Sequence, residues 1–461
     1  MPDLKRMFDQ VGMVDGGHGM LRELFQEHVT AEGQAAIVKL GKEGGSDPKA
    51  YVTALLSTYN FYGAVVKTAF VDTVSFLAAL KKSANTYMNV NLVTKTHSQG
   101  SRASPVLLSK YCDGLLKKSS KMHGGGDVDP LLDGCITVFN FLQDADVFQK
   151  FYSKSLAKRL VEDNSVSEDA EESMISKLKA TAGAEWTRKF QTMFTDVKTS
   201  RESTKKFDSK EILKDFNAMI LKSGSWPFAP NPEQDVAFTG KMKACCDKYK
   251  MWYVRAHSGR KLTWLPIFSK GDLIAQFSTD KKTGKPLTFT LQASAHQMAI
   301  LLLFNDATTI AVADIEKMLA AKGWVGEQNE YLKAVLSTLY KTKIITASAD
   351  GKVCKLNEAW KNKKTRVKID LPVKAAVAKE AETDHKAIDL ERTFVIKAKL
   401  VQVMKTRKTM NHKQLVLDVM KALIDKFKPQ PRQISKEIGN LIETEYLERV
   451  EGKRDEYNYL A

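Results

Sequence analysis

An internal repeat in the last third of the chain restricts the possible folds most sharply. In the first copy, an apolar helical face at 332–339 runs into a short β-hairpin that ends at Leu356. In the second copy, a similar face at 434–442 runs into a hairpin that ends at Leu460. Another amphipathic helix precedes each copy. Two helices followed by a hairpin are the order of a winged helix, so the sequence predicts two such modules.

The first 220 or so residues are predicted to be almost wholly helical. Asp47 is a candidate N-cap followed by Pro48, and apolar residues recur at helical spacing from Leu55, which predicts one helix to about Lys82. A second long helical pattern covers 131–161. Its last part has i, i+4 spacing that is typical of a helix in a bundle. The residues on that face are Phe148, Tyr152, Leu156 and Leu160.

The pattern changes at Ser223-Gly-Ser-Trp-Pro227, where Gly and Pro interrupt the helical periodicity. Short apolar or β-branched runs follow, and they predict an antiparallel meander. The three predicted strands are 261–267, 272–277 and 287–291. The fold class is therefore predicted as mainly α with a smaller α+β part. Residues 375–389 have mixed charge and little periodicity, and are interpreted as a linker.

The charge of the chain indicates an acidic partner without identifying it. In 461 residues, 71 Lys and Arg exceed 54 Asp and Glu, a net charge of +17. From Lys397 to Lys436 there are eleven basic residues against two acidic ones. On a winged helix such a surface favours phosphate contacts, and a solvated basic face is an equal alternative. Glu437 and Glu443 on the second repeat helix are expected to be exposed and to oppose DNA binding.

The sequence contains no catalytic or phosphate-binding motif that we can assign to an activity. Walker-type loops, His-Glu-x-x-His and Gly-x-Ser-x-Gly are absent. Five scattered cysteines are predicted to be reduced, and the eight histidines are dispersed. We therefore predict no catalytic residue, no cofactor and no metal site. Apolar runs such as 298–304 are too short to span a bilayer, so we expect a soluble intracellular protein without membrane partners.

Several long blocks of the sequence resemble one known family. They occur in one order over essentially the whole chain, which makes a chance match negligible. The blocks are 146–160, 172–179, Ser223-Gly-Ser-Trp-Pro-Phe228, 257–265, and 445–450 with Tyr459-Leu-Ala461. On these residues the chain resembles the cullins, in particular those that use F-box adaptors.

The resemblance implies an elongated, non-catalytic scaffold of a ubiquitin ligase complex. It also implies a domain layout for the chain. Residues 1–101 would be the end of the third helical repeat and 102–222 a four-helix bundle. Residues 223–374 would be an α/β region with the first winged helix, and 375–461 the carboxy-terminal winged helix with the modification site.

A RING-box protein is the first partner that the resemblance implies. In the family this protein adds an extended strand to the α/β sheet, where backbone hydrogen bonds give affinity and side-chain pockets give register. Four apolar residues are candidate anchors for this strand, and they could equally belong to the core of the protein itself. These anchors are Trp226, Leu262, Trp264 and Leu265.

A ubiquitin-conjugating enzyme is the second implied partner, recruited through the RING protein. Lysines near the end of one predicted helix resemble a basic groove that attracts an acidic tail of this enzyme. An equally good interpretation is that these lysines are solvated side chains at the end of a helix. The lysines are Lys117, Lys118 and Lys121.

The most specific implication concerns Lys405. Met404-Lys-Thr-Arg-Lys408 fits the family pattern around the lysine that receives a ubiquitin-like modifier through an isopeptide bond, a reaction called neddylation. Arg407 and Lys408 are expected to attract acidic partners. Periodicity alone does not distinguish Lys405, because apolar residues surround this helix nearly completely.

Further implications remain expectations. The resemblance begins inside the third repeat, so we do not expect adaptor binding, and we expect binding of cullin regulators in the cytoplasm and nucleus. The chain is interpreted either as a fragment of a longer scaffold or as a short cullin-like inhibitor that sequesters RING protein. A nucleic-acid-binding winged-helix protein is the alternative from another class, although no specific nucleic acid is predicted.

Overall fold

The computed structural model divides the chain into two compact units. One comprises Met1–Gln191 with Glu382–Ala461, and the other comprises Thr192–Ala381. Each unit is described by itself below. The structure describes residues 2–71, 73–120, 122, 126–207, 215–228, 236–238, 240–279, 286–319, 330–369, 374–424, 426–453 and 455–460.

The amino-terminal part of the chain is helical, as predicted. Its helices are α1 (Pro2–Val11), α2 (Gly17–Lys39), α3 (Pro48–Thr68), α4 (Val74–Asn89), α5 (Leu92–Thr96), α6 (Ala103–Leu116), α7 (Asp129–Phe139), α8 (Ala145–Glu162), α9 (Glu168–Ala182) and α10 (Ala184–Lys206).

The predicted start of α3 is confirmed, but its predicted end is wrong. The Asp47 carboxylate accepts hydrogen bonds from the backbone N–H groups of Lys49 (2.9 Å) and Ala50 (3.3 Å), as an N-cap does. The helix ends at Thr68 instead of Lys82, and Val71 in the break has φ 51°. The same error occurs at 131–161, which forms two helices. Periodicity missed both breaks because they are only a few residues long.

A buried arginine stabilises the bundle formed by α6, α8 and α9. Arg159 is 1% exposed, and its Nε and Nη2 donate to the two carboxylate oxygens of Glu171 at 2.7 and 3.0 Å. Its Nη1 donates to Asp113 Oδ1 at 2.6 Å. Burial alone would lower the pKa of Arg159, but Glu171 raises it above its ordinary value. The predicted face is confirmed, since Phe148 and Tyr152 are fully buried around this network.

Replacing Arg159 with Ala is expected to lower the free energy of unfolding by about 3–5 kcal/mol, because two carboxylates lose their buried cation. Urea unfolding followed by circular dichroism measures the change. Lys158→Ala is the matched control, since Lys158 is 53% exposed and its ion pair in the described part of the chain is with Glu162 at 3.9 Å. We expect the control to change stability by less than about 0.5 kcal/mol. Equal losses in the two variants would contradict a structural role for the network.

In its described residues, the second unit contains two small sheets around one core. The elements are α11 (Gly240–Ala256), β1 (Lys270–Thr279), β2 (Pro286–Ser294), α12 (Ala295–Leu303), β3 (Thr309–Ala311), α13 (Val312–Leu319), α14 (Glu330–Lys341), β4 (Ile345–Ala347), β5 (Val353–Leu356) and β6 (Arg366–Lys368). The strand orders of the sheets are β1-β2-β6 and β3-β5-β4, with β1 antiparallel to β2 and β6 parallel to it. Apolar residues from both sheets and from three helices form a continuous cluster.

The predicted meander is correct in two of its three strands. Residues 272–277 and 287–291 lie in β1 and β2, which pair antiparallel as predicted. Residues 261–267 do not form a strand: they lack regular structure up to Leu265, and a short 3-10 helix occupies Pro266–Phe268. Pro266 has no N–H to donate to a ladder, so the run cannot continue as a central strand. The third strand of the sheet is the three-residue β6 instead.

The carboxy-terminal module repeats the order of elements found in the second unit. It contains α15 (Lys374–Arg407), β7 (Thr409–Asn411), α16 (His412–Leu423), α17 (Pro431–Glu443), β8 (Leu447–Arg449) and β9 (Glu456–Tyr459). Its sheet order, β7-β9-β8, matches β3-β5-β4. Both copies therefore contain the two helices and the hairpin that the sequence repeat predicted. The winged-helix assignment itself stays a prediction.

Two expectations for this region were wrong. The interpreted linker 375–389 is helical, because α15 is continuous from Lys374 to Arg407. Glu437 is 5% exposed and pairs with Lys397 at 3.4 Å, so it does not face solvent as expected. Glu443 is exposed. Within the described ranges, no helix has both the length and the apolar character needed to cross a bilayer.

Candidate functional site

Lys405 lies in the last turn of α15 and its side chain is exposed. The preceding residue, Met404, is fully buried and belongs to the core of the carboxy-terminal module, with Ile396 and Leu400 on the same helical face. Among the described residues, none forms an ion pair or hydrogen bond with the Lys405 ammonium. The structure therefore presents this amine to solvent from a helix whose opposite side is anchored.

Lys408 ends α15 and connects it to the sheet of the module. Its φ is 67°, in the left-handed region, and its N–H donates to the Met404 carbonyl at 2.7 Å. Its own carbonyl accepts the N–H of Tyr459 at 2.9 Å, and its ammonium lies 5.3 Å from the centre of the Tyr459 ring. Met404 and Lys408 are thus fixed by packing and hydrogen bonds, while Lys405 and Arg407 between them are exposed.

We expect Met404→Ala to lower the stability of the module by about 2–5 kcal/mol, because the substitution leaves a cavity in a fully buried position. Hydrogen exchange of α16 and α17 reports this local stability. The neighbouring substitution Lys405→Ala is the control, and its effect is expected to be below about 0.5 kcal/mol. A loss of protection in the control as large as in Met404→Ala would show that Lys405 has a structural role.

Among the described residues, the outer edge of β1 has no strand partner. This ten-residue strand pairs with β2 on one side, and no strand in the described part of the chain pairs with its other side. Leu273 and Ala275 pack inward against the core of the unit, whereas Ile274 between them is 76% exposed. An unpaired edge offers a row of backbone donors and acceptors to an extended segment. The sequence pattern alone does not distinguish Ile274, because alternation in β1 does not show which face of the strand is buried.

Three of the four predicted apolar anchors pack against aromatic side chains. Trp226 is 6% exposed, donates from Nε1 to Asp196 Oδ2 at 2.8 Å and stacks on Phe228. Leu262 and Trp264 are half-buried and pack against the aromatic cluster on α11. The fourth anchor is Leu265, which is half-buried just before the 3-10 helix. Their role in binding a partner stays a prediction, since packing explains Trp226 by itself.

The structure describes two of the three predicted groove lysines. Lys117 follows α6 and its backbone forms an isolated bridge with Ser165. Lys118 is exposed, and its N–H donates to the Asn164 carbonyl at 2.9 Å. Both side chains lack ion pairs within the described ranges. Lys121 lies outside the described residues, so the three-lysine groove stays a prediction.

Comparison with known protein families identifies the chain along most of its length. Residues 1–204 match the cullin alpha solenoid domain, 220–365 the cullin alpha+beta domain, and 391–453 the cullin protein neddylation domain. The chain belongs to the cullin family. Lys405, at the exposed end of α15, lies inside the match to the neddylation domain.

Several curated cullins match the entire chain. It is 37% identical to Cullin-1 of Dictyostelium discoideum and 35% identical to Cullin-1 of Schizosaccharomyces pombe, and covers 60% of the length of each. It is 31% identical to Cullin-3A of Arabidopsis thaliana and covers 61% of that protein. The chain thus spans about three-fifths of the length of these relatives.

Proposed function

We propose that this cullin is a scaffold subunit of a cullin-RING ubiquitin ligase and that Lys405 is its neddylation site. The observation that carries the proposal is the exposed Lys405 amine, presented at a fixed helix end inside the segment that matches the neddylation domain. Membership of the cullin family supports the scaffold role.

The chemistry at Lys405 requires only a nucleophile from this chain. The neutral amine attacks the thioester carbonyl through which the modifier is held on its conjugating enzyme. A nitrogen–carbon bond forms, the carbon–sulfur bond breaks, the enzyme thiolate leaves, and the amine gives up a proton to a base of the conjugation enzyme. The chain contributes position and accessibility, which is consistent with a non-catalytic scaffold.

The open edge of β1 supports the proposed binding of a RING-box protein. A strand added there would satisfy the outward backbone groups of β1 and cover Ile274, which is otherwise an exposed apolar side chain. Leu262, Trp264 and Leu265 lie shortly before β1 in the sequence and are only half-buried, so they offer additional apolar area.

A ubiquitin-conjugating enzyme recruited by the RING protein would meet a positively charged chain. The exposed Lys118 and the half-buried Lys117 are candidates for steering an acidic surface of that enzyme. Such steering raises the association rate more than the affinity and weakens with salt. Cullin regulators are further expected partners, and the proposed place of action is the cytoplasm and nucleus.

Lys405→Arg is expected to abolish the adduct that forms when the chain, bound to a RING partner, is incubated with the modifier and its conjugation enzymes. Arginine keeps the charge but has no amine nucleophile. Gel shift and mass spectrometry of the modified peptide measure the product. Lys408→Arg is the matched control in the same motif and should keep the adduct, because the Lys408 backbone, not its amine, ends the helix.

Loss of the adduct in both variants would argue for a general effect of the motif on recognition. An adduct that persists in Lys405→Arg at another lysine would show that the site assignment is wrong. Failure of the unchanged chain to bind a RING partner or to form any adduct would overturn the proposed function.

Ile274→Lys is expected to weaken binding of the RING partner by about tenfold or more, because the variant loses the burial of an isoleucine side chain, which contributes about 1.5–3 kcal/mol. Isothermal titration or surface plasmon resonance measures the affinity. Gln276→Lys is the matched control on the same exposed face of β1. Equal affinities for Ile274→Lys and the unchanged chain would place the partner elsewhere.

Nucleic-acid binding is the second candidate function, and the burial of Glu437 favours it. Arg432 and Lys436 are exposed in the amino-terminal half of α17, and the buried Glu437 carboxylate does not oppose phosphate contacts at that surface. Retention on immobilised duplex DNA at ~0.15 M salt, with the steep salt dependence of phosphate contacts, would support this alternative. The scaffold proposal expects elution below that salt concentration.

A further inference from the structure

Arg392 on α15 connects the helical bundle to the core of the carboxy-terminal module. It is 7% exposed, and its Nε and Nη2 donate to the two carboxylate oxygens of Asp146 at 2.6 and 2.7 Å. Nη2 also donates to Asp144 Oδ1 at 2.8 Å. The guanidinium carbon lies 4.6 Å from the centre of the Phe427 ring, which belongs to the module core. These four residues are called the Arg392 clamp below.

The described residues of α15 also contact the bundle outside the clamp. A small apolar cluster contains Val106, Val147 and Ile388, with Phe151 packed against it. Around this cluster, further ion pairs among the described residues connect α15 to α8 and to the start of α6. They are Lys154–Asp384 at 2.5 Å, Lys150–Glu391 at 2.9 Å and Arg102–Asp389.

The clamp is the most buried of these ionic contacts. Glu391 and Asp389 are 65% and 51% exposed in their side chains, and Lys154 and Asp384 are 34% and 10% exposed. In the clamp, Arg392, Asp144 and Asp146 are 8%, 9% and 24% exposed. Exposed pairs contribute little to stability and to orientation. A buried guanidinium with two carboxylates has directional hydrogen bonds that permit few arrangements. The clamp is therefore the most directional of the described contacts between α15 and the bundle.

Arg392 and Lys405 lie on nearly opposite faces of α15. Arg392 and Lys405 are 13 residues apart on one continuous helix, which separates them by about 20 Å along the axis and about 140° around it. With the Arg392 face against the bundle, Lys405 is on the side directed away from it. Rotation or displacement of α15 would change the location of the amine.

We propose that Arg392 is a positioning residue for Lys405: by holding α15 on Asp144 and Asp146, it places the amine where the modifier's conjugation enzymes reach it. This inference rests on the proposed function. Arg392 acts through the helix and does not contact the reacting atoms.

A distance measurement tests the clamp without any modification reaction. Spin labels are placed at Lys110→Cys on α6 and Lys405→Cys on α15, both exposed positions, while the five native cysteines are buried. Electron–electron double resonance is expected to give one narrow distance distribution. Arg392→Glu should broaden or shift it, because the introduced carboxylate would face two others. Combining Arg392→Glu with Asp144→Asn and Asp146→Arg should restore the narrow distribution.

A matched control and a conservative variant separate the clamp from general charge effects. Glu391→Lys reverses the charge of the neighbouring residue in an exposed pair and should leave the distances unchanged. Arg392→Lys keeps the charge but cannot bind both carboxylates at once, so an intermediate broadening is expected. Near-ultraviolet circular dichroism confirms that each variant is folded.

The rate of adduct formation at Lys405, measured without labels, tests the positioning role. Arg392→Glu is expected to lower this rate about tenfold or more, and the charge-reversed combination should restore it. Glu391→Lys should remain within about twofold of the unchanged chain.

Unchanged distances in folded Arg392→Glu would overturn the clamp. Broadened distances with an unchanged rate would overturn its role in modification. If the unchanged chain forms no adduct, the proposed function and the positioning role both fail, while the distance distribution still reports whether the clamp holds α15.

Discussion

Helix α15 joins the bundle to the carboxy-terminal module within the first unit, because it packs against both. Its carboxy-terminal part contributes Ile396, Leu400 and Met404 to the module core, and Ile388 and Arg392 near its middle contribute to the contact with the bundle. Because a single α-helix is stiff over this length, the two contacts are not independent. A change at one end of the helix alters the geometry at the other.

Arginine and lysine have different places in this protein. Arg159 and Arg392 are buried, and each binds two carboxylates with a planar, bidentate guanidinium. Lys118 and Lys405 are exposed, and their amines have no partner in the described part of the chain. The arginines stabilise the contacts between helices, while these lysines remain available to acidic or reactive partners. The net charge of +17 therefore includes basic residues with different roles, some structural and some available to partners.

Sequence patterns predicted the elements correctly where the periodic segment was long. They failed where contacts between distant parts of the chain determine the local structure. The N-cap at Asp47, the face of α8 and both repeated helix–hairpin units were predictable from spacing. Three-residue strands such as β6 have too few residues for alternation, and the strand predicted at 261–267 became a loop that packs on α11. The Arg392 contacts join residues nearly 250 positions apart, so no local pattern predicts them. The motif around Lys405 was recognisable, but its exposure required the structure.

The left-handed conformation of Lys408 has a consequence for anything attached nearby. Because its N–H and carbonyl bind Met404 and Tyr459, the backbone after Lys405 cannot fray as a free helix end does. A protein joined to the Lys405 amine therefore has its first freely rotating bonds in the lysine side chain itself. The volume that such a protein can explore is set by that short aliphatic tether and by its own tail, and not by unwinding of the helix.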